Sequence, residues 1–204
     1  ISAVAAAIDG LDAITELVEQ AKGLANNAKA TGDTSEQSTL AVQFNDILSQ
    51  IDDLANDASF NGTNLVKASA DNLTIDFNED ASSTLTISGL DSTTASSGLN
   101  IANATNNFAD TTAIDTAITA VNSAITELRS NASTLGSSAS ILQTRLDFGD
   151  NLIGTLQDGA GKLTLADLNK ESANLLALQT RQQLGINSLA LAAQSERSVL
   201  ALFG

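Results

Sequence analysis

Apolar residues recur at helical spacing in the first quarter of the chain. Between residues 1 and 29 they fall three, four or seven positions apart, which predicts an amphipathic helix. A second helix is predicted over roughly 35–57, where the spacing alternates between four and three, as in a coiled coil. Thr34 and Gln37 form a capping-box pattern at its start. Because the polar link between the two helices is short, we expect them to pack as an antiparallel hairpin.

The pattern changes to that of β structure at residue 59. An Asn-Gly turn signal at 61–62 is followed by three short segments in which apolar and polar residues alternate. These segments predict strands at 65–66, 73–77 and 84–87. Residues 88–112 are rich in Ser, Thr, Asn and Gly, so they are predicted to form mostly loop.

From about Thr112 the helical pattern returns as an unbroken four-three series, which predicts one helix to about residue 157. At 1.5 Å per residue this helix would be roughly 65–70 Å long, which favours an elongated bundle. Asp158 to Gly161 should end it, and a further helix should open near Asp167. The apolar seam predicted for the second helix and this long helix consists of Leu40, Phe44, Ile47, Ile51, Leu54, Ile118, Val121, Ile125, Leu128, Leu135, Leu142 and Leu146.

The last segment, 165–203, carries leucines on more than one helical face. Arg181 is its only charged residue between Ser172 and Ser195. A single helix with such a surface would aggregate, so we expect it to pack against other helices. The residues predicted to mediate this self-assembly are Leu175, Leu176, Leu178, Leu184, Ile186, Leu189, Leu191, Val199, Leu200, Leu202 and Phe203.

Composition favours packing over chemistry. The 204 residues include no Cys, His, Trp, Tyr, Met or Pro, and six Phe are the only aromatics. The lack of His and Cys removes the usual nucleophilic sites and the ligands of zinc, haem and iron–sulfur clusters. The lack of Pro permits long uninterrupted helices.

The charge balance argues against nucleic-acid binding. The formal net charge is −15, and residues 1–110 alone contain 16 acidic and three basic side chains. Binding to a phosphate backbone requires a cationic surface, which this composition does not provide. No apolar run reaches the roughly 18–20 residues that would span a bilayer, so no membrane contact is predicted either.

Candidate sites are best interpreted as solvated surface. Residues 76–80 begin like a calcium-binding loop, but Ala81 and Ile87 replace the Gly and Glu that such a loop requires. Asp52, Asp53 and Asp57 are expected to lie on an exposed acidic helix face. Four Asn-x-Ser/Thr matches are expected by chance in a chain of this composition. We therefore predict no catalytic, cofactor or metal site, and no enzymatic activity.

The order of these elements, together with the composition, resembles that of bacterial flagellin. Residues 43–66 (QFNDILSQIDDLANDASFNGTNLV) resemble the family's passage from a helix into a β-hairpin. Residues 117–146 resemble its long C-terminal core helix, and residues 175–203 resemble its terminal segment, including the Gln-Gln-x-Gly stretch at 182–185. The resemblance implies a mainly α fold with a small β region, as an elongated antiparallel helical bundle or coiled coil with a short β-hairpin subdomain.

The resemblance also implies a domain division. Residues 1–58 would form the helical hairpin of the D1-like core, 59–111 a small β and loop region, 112–160 the long D1 helix, and 161–204 a D0-like helix. The family's N-terminal pattern is not found at the start of this sequence, so we expect the chain to lack that segment.

By the same resemblance, the protein is expected to be a subunit of the extracellular flagellar filament, secreted by the flagellar export apparatus. Expected partners are other flagellin subunits, an export chaperone on the C-terminal helix, and the filament cap and junction proteins. Two alternatives remain at this point: a hook–filament junction protein of the same fold, and a coiled-coil adhesion or binding module.

Overall fold

A computed structural model describes the backbone of residues 1–204 and the side chains of residues 1–200 and 204. The chain divides into two units, residues 1–146 and residues 147–204, which are described separately. Unit 1 contains helix α1 (Ser2–Ala30), helix α2 (Thr34–Asp57), strands β1 (Leu73–Asp76) and β2 (Thr84–Ile87), and the first part of helix α3 (Thr111–Phe203). Unit 2 is formed by the remainder of α3 and the terminal glycine. The mainly helical fold with a small antiparallel sheet is the predicted one.

The hairpin of α1 and α2 has the predicted helices but a different cap. Asp33, not Thr34, is the N-cap of α2, because its carboxylate accepts hydrogen bonds from the backbone N–H of Ser35 (2.8 Å) and Glu36 (3.4 Å). Gln37 donates instead to the carbonyl oxygens of residues 28 and 31, at the end of α1. The capping-box prediction was therefore wrong, and Gln37 links the two helix ends.

The core of unit 1 is built from small and aliphatic side chains. The buried faces of α1, α2 and α3 carry alanines as well as Leu, Ile and Val, and small side chains let helix axes approach closely. The two buried aromatic rings, Phe44 on α2 and Phe108 just before α3, meet edge to face with their centroids 5.2 Å apart. This contact fixes the chain before α3 against α2.

Strands β1 and β2 pair antiparallel, with Leu73 opposite Ile87 and Asp76 opposite Thr84. These two strands were predicted from sequence, but the strand predicted at Leu65 and Val66 does not form. Both residues are instead fully buried in the core. This apolar pair packs inward as part of an irregular turn.

Asn64 imposes that turn. Its side-chain amide donates to the carbonyl oxygens of Ala55 (2.8 Å) and Asn56 (2.9 Å), which lie in the last turn of α2. Its side-chain oxygen accepts from the backbone N–H of Val66 (2.8 Å) and Lys67 (2.9 Å). The bonds to Ala55 and Val66 are buried and the other two are partly buried, and Asn64 itself is only 2% exposed. The residue thus joins the end of α2 to the start of the β region.

The segment between β2 and α3 is mostly irregular, as predicted, with one short 3-10 helix at Thr105–Phe108. Side chains of α2 bind this segment. Asp52 accepts hydrogen bonds from the backbone and hydroxyl of Thr94, and Asn45 accepts one from the backbone N–H of Ala104. The last turn, residues 106–108, has left-handed φ values of 51–58°. Such a conformation is costly for a residue with a side chain, and the burial of the Phe108 ring offsets it.

Helix α3 does not end where the sequence predicted. The helix runs through residues 158–161 and past Asp167 to Phe203, so the predicted break and the predicted new start were both wrong. Glycine lowers helix stability by about 1 kcal/mol relative to alanine, but it keeps its N–H and its place in the hydrogen-bond ladder. Only proline would remove that donor, and the chain has none. The predicted domain boundary after residue 160 stays a prediction.

Candidate assembly surface

Unit 2 consists of the C-terminal part of helix α3 and the terminal glycine. From residue 150 to residue 200 every residue is exposed. The exposed fraction of its large apolar side chains ranges from 45% at Leu152 to 75% at Leu189. Apolar groups in this number are normally removed from water by contact with another surface. We call these residues the unit 2 apolar surface; its large members are Phe148, Leu152, Ile153, Leu156, Leu163, Leu165, Leu168, Leu175, Leu176, Leu178, Leu184, Ile186, Leu189, Leu191, Val199 and Leu200.

The unit 2 apolar surface extends around the helix. At about 100° per residue, Leu184 and Leu191 lie on one side of α3, whereas Leu175, Ile186 and Leu200 lie on roughly the opposite side. A helix that packs on a single neighbour has one apolar stripe and a charged opposite face. This helix therefore has apolar surface for more than one neighbour.

Charge is sparse on the same surface. Unit 2 contains six acidic and four basic side chains, whereas unit 1 contains 18 acidic and five basic ones. Between residues 172 and 195, Arg181 is the only charged residue. Depletion of charge is the compositional mark of the centre of protein interfaces, because each buried charge must be desolvated.

The sequence-predicted assembly residues lie on this surface, as far as they are described. The nine predicted residues from Leu175 to Leu200 are 55–75% exposed. The side chains of the other two, Leu202 and Phe203, are outside the described residues. Sequence reasoning missed the exposed apolar side chains from Phe148 to Leu168. Their signal was the same excess of apolar residues without a facing partner, but the predicted break at residue 158 concealed it.

The predicted seam residues lie mainly in the core of unit 1. Those that are buried are Phe44, Ile51, Val121, Ile125, Leu128, Leu135 and Leu142. Those that are partly buried and pack against the core are Leu40, Ile47, Leu54 and Ile118. Leu146, the last residue of unit 1, is 49% exposed. The seam thus ends where the unit 2 apolar surface begins.

Several acidic residues accept hydrogen bonds, either from nearby residues or from a distant segment of the chain. Asp52 holds Thr94, and Asp53 accepts a weak 3.4 Å bond from Gln50. In the turn between the strands, hydrogen bonds from the hydroxyl and backbone of Ser82 lower the pKa of Asp80. Burial tends to raise the pKa of Asp91, but hydrogen bonds from neighbouring hydroxyls outweigh it and lower the pKa. The lowered pKa favours the carboxylate form of Asp80 and Asp91, which suits their role as hydrogen-bond acceptors.

Within the described part of the chain, no three His, Cys, Asp or Glu residues are placed to hold a metal ion. Hydrogen bonds within the loop at 76–80 and its flanking serines occupy Asn78. Its side-chain amide donates to the Ser82 hydroxyl (2.6 Å), and its side-chain oxygen accepts from the backbone N–H of Ser83 (3.0 Å). Among the described residues, no helix combines the length and apolarity needed to cross a membrane.

Comparison with known proteins identifies the class. The family profile of the bacterial flagellin C-terminal helical region matches residues 118–203, which include the unit 2 apolar surface. Flagellin FljK of Caulobacter vibrioides is 35% identical over 209 aligned residues, which cover 99% of this chain and 73% of that protein. A flagellin of Brucella melitensis is 29% identical over 97% of this chain and 72% of its own length. The chain belongs to the flagellin family, whose members are structural proteins of the bacterial flagellum.

A solved structure shows the same fold. The crystal structure of Bacillus cereus flagellin superposes with a TM-score of 0.60, over 72% of this chain and 83% of that one, at 20% sequence identity. The likeness persists at low identity because a bundle of helices depends on the pattern of apolar positions more than on particular side chains.

Proposed function

We propose that this protein polymerises into the flagellar filament that drives swimming, and that the unit 2 apolar surface is its principal contact with neighbouring subunits. Membership of the flagellin family supports the role of a filament subunit. The single observation that supports the contact surface is the uninterrupted exposure of α3 from residue 150 to residue 200. Burying one leucine side chain contributes about 2 kcal/mol, so contacts along this helix would suffice for stable association.

The arrangement of this surface favours a polymer over a closed dimer. Apolar residues on several sides of α3 require more than one neighbour, and repeated non-equivalent contacts generate a helical assembly when they do not close into a ring. The sparse charge lets copies of an acidic protein approach each other at unit 2, while the acidic side chains of unit 1 keep the assembly soluble.

This role needs no active site, and we propose that the protein is not an enzyme. We further propose that it acts outside the cell after secretion by the flagellar export apparatus. Before assembly, an export chaperone would cover the unit 2 apolar surface, because exposed apolar helices aggregate. The filament cap and junction proteins would be its partners at the two ends of the polymer.

The test is a charge substitution in the full-length protein, expressed in a flagellin-deficient bacterium. Leu189→Asp places a carboxylate at the most exposed large apolar side chain among the described residues. We expect shorter or absent filaments by electron microscopy and loss of swimming. Leu189→Ile, which keeps the apolar group, and Ser49→Asp, which adds the same charge on the exposed face of α2, should leave filaments intact. Normal filaments in the Leu189→Asp strain would overturn the assigned surface.

Two further measurements separate the proposal from its alternatives. A junction protein would be present as a single ring, so a copy number of a few per flagellum would contradict the filament role. An adhesion module would not need the end of α3 to assemble. If cells expressing the chain without residues 165–204 still build filaments and swim, the proposal fails.

A further inference from the structure

The turn at Asn61 and Gly62 has the features of a chemically reactive site. It is the only Asn-Gly pair in the sequence. Both residues are exposed and have positive φ values, 50° and 82°, as a two-residue type I′ turn requires. The turn is closed by two hydrogen bonds between the backbones of Phe60 and Thr63, at 2.9 and 3.0 Å.

The two groups that would react with each other are not held by hydrogen bonds. Within the described part of the chain, the Asn61 side chain and the Gly62 N–H have no hydrogen-bond partner. A Cβ atom added at Gly62 would meet nothing within 4 Å, so no group from outside the turn crowds the Cα next to this nitrogen. The side-chain amide carbon and the nitrogen that follows it are therefore free to approach each other when the turn opens.

The neighbouring asparagines are hydrogen-bonded, and none of them is followed by glycine. Asn64 is buried and uses its side chain in four hydrogen bonds. Asn72 accepts a bond from the backbone of Gly89 (3.1 Å), and Asn78 is bonded to Ser82 and Ser83. Each of these three is followed by a residue larger than glycine, whose side chain shields the attacking nitrogen.

We propose that Asn61 is a site of spontaneous deamidation. The Gly62 backbone nitrogen attacks the Asn61 side-chain carbonyl carbon, a C–N bond forms, and the side-chain nitrogen leaves as ammonia with the proton that Gly62 gives up. Water then adds to either carbonyl of the five-membered imide and opens it. The products are aspartate and isoaspartate, and the net reaction consumes one water and releases one ammonia.

The product would loosen the start of the β region. Isoaspartate lengthens the backbone by one methylene, which is incompatible with both bonds between Phe60 and Thr63 in their present geometry. Asn61 lies three residues before Asn64, which joins α2 to the buried residues 65–66. The chain with isoaspartate at residue 61 should therefore have a lower midpoint of thermal unfolding than the unmodified chain, both as a monomer and in a polymer.

The test uses the purified, folded full chain in buffer made with oxygen-18 water. After incubation at mildly alkaline pH, peptide mass spectrometry should find oxygen-18 and isoaspartate at residue 61, with none at Asn64, Asn72 or Asn78. The conversion should slow at mildly acidic pH, because the attacking nitrogen must lose its proton. Retention of the amide at residue 61, over a period in which the urea-unfolded chain converts, would overturn the proposal.

Two variants test the mechanism. Gly62→Ala adds a methyl group beside the attacking nitrogen, and loss of isoaspartate in this variant is expected. Because alanine is strained at a φ of 82°, Asn61→Asp provides a second variant that keeps a turn-forming residue. It should release no ammonia above the background of the other asparagines. Unchanged isoaspartate formation in Gly62→Ala, or unchanged ammonia release in Asn61→Asp, would contradict attack at this turn.

Discussion

At the scale of single residues, Asn64 is the polar side chain on which the β region depends most. We predict that Asn64→Ala lowers the free energy of unfolding by about 3 kcal/mol, because it leaves buried backbone groups of residues 55 and 66 without partners. The measurement is urea denaturation of the full chain. Asn56→Ala is the matched control, since it removes one exposed bond to the carbonyl of residue 52. An equal loss in both variants would contradict this role.

A second residue-scale prediction concerns acid stability. Asp91 accepts hydrogen bonds from Thr93 and Ser97, and its pKa in the folded state is lowered from the ordinary value of 3.8. A depressed folded pKa contributes stability above the unfolded value, and this is lost as the pH falls through the folded pKa. Asp91→Asn should therefore be less stable than the wild type at neutral pH, by less than about 1 kcal/mol.

The difference between Asp91→Asn and the wild type should vanish as the pH falls below the folded pKa. Unfolding free energies measured across the acidic range test this. Asp12→Asn changes the same charge at an exposed position of α1 and serves as the control. A difference between Asp91→Asn and the wild type that persisted unchanged at the lowest pH would show that packing, not ionisation, is responsible.

These residue roles were only partly visible in the sequence. The Asn-Gly turn and the acidic character of the loops could be predicted, because turn geometry and charge are local properties. The role of Asn64 could not, since its partners at residues 55 and 56 are brought to it by the end of α2. Asp33 was missed for a related reason: Thr34 and Gln37 offered an equally good local pattern one residue later.

At the scale of elements, glycines of α1 have opposite roles. A Cβ atom at Gly10 would lie 2.6 Å from the Cβ of Ala58, whereas one at Gly23 would meet nothing within 4 Å. We predict that Gly10→Ala destabilises unit 1 by about 1–3 kcal/mol through overpacking, although alanine favours the helix. Gly23→Ala should raise the free energy of unfolding by up to about 1 kcal/mol. Chemical denaturation gives both values, and the same sign for both would refute this explanation.

Helix periodicity was predicted well, but helix ends were not. The long four-three series identified α3, and α1 and α2 were predicted to within one residue of their observed starts and ends. The glycines at 159 and 161 were predicted to end the helix, but they do not. A helix passes through them because backbone hydrogen bonding continues, and no proline interrupts it.

At the scale of the whole molecule, the two units differ in what stabilises them. Unit 1 has a buried core, whereas residues 150–200 of unit 2 have only the hydrogen bonds of their own helix. A helix without tertiary contacts opens readily. We predict that limited trypsin digestion of the monomer cuts first at Lys162, Lys170, Arg181 and Arg197.

Gel electrophoresis and mass spectrometry of the fragments would follow this digestion. Lys22, on the packed helix α1, provides the internal control and should be cut much later. In the assembled polymer the unit 2 sites should become resistant, because neighbouring subunits would cover them. Equal cleavage of Lys22 and the unit 2 sites in the monomer would contradict the difference in stability.

The sequence by itself determined the helical class, the two strands and the apolar character of the terminal segment. Each of these follows from the spacing and amount of apolar residues along a continuous stretch, which a helix or strand displays locally. Only the tertiary structure decided that Leu65 and Val66 enter the core, that Asn64 joins them to α2, and that Gly10 must be small against Ala58. These features depend on contacts between segments distant in sequence, which no local pattern contains. The apolar residues that the sequence shows in excess form, in the structure, an exposed surface on α3, and we propose that other subunits cover it.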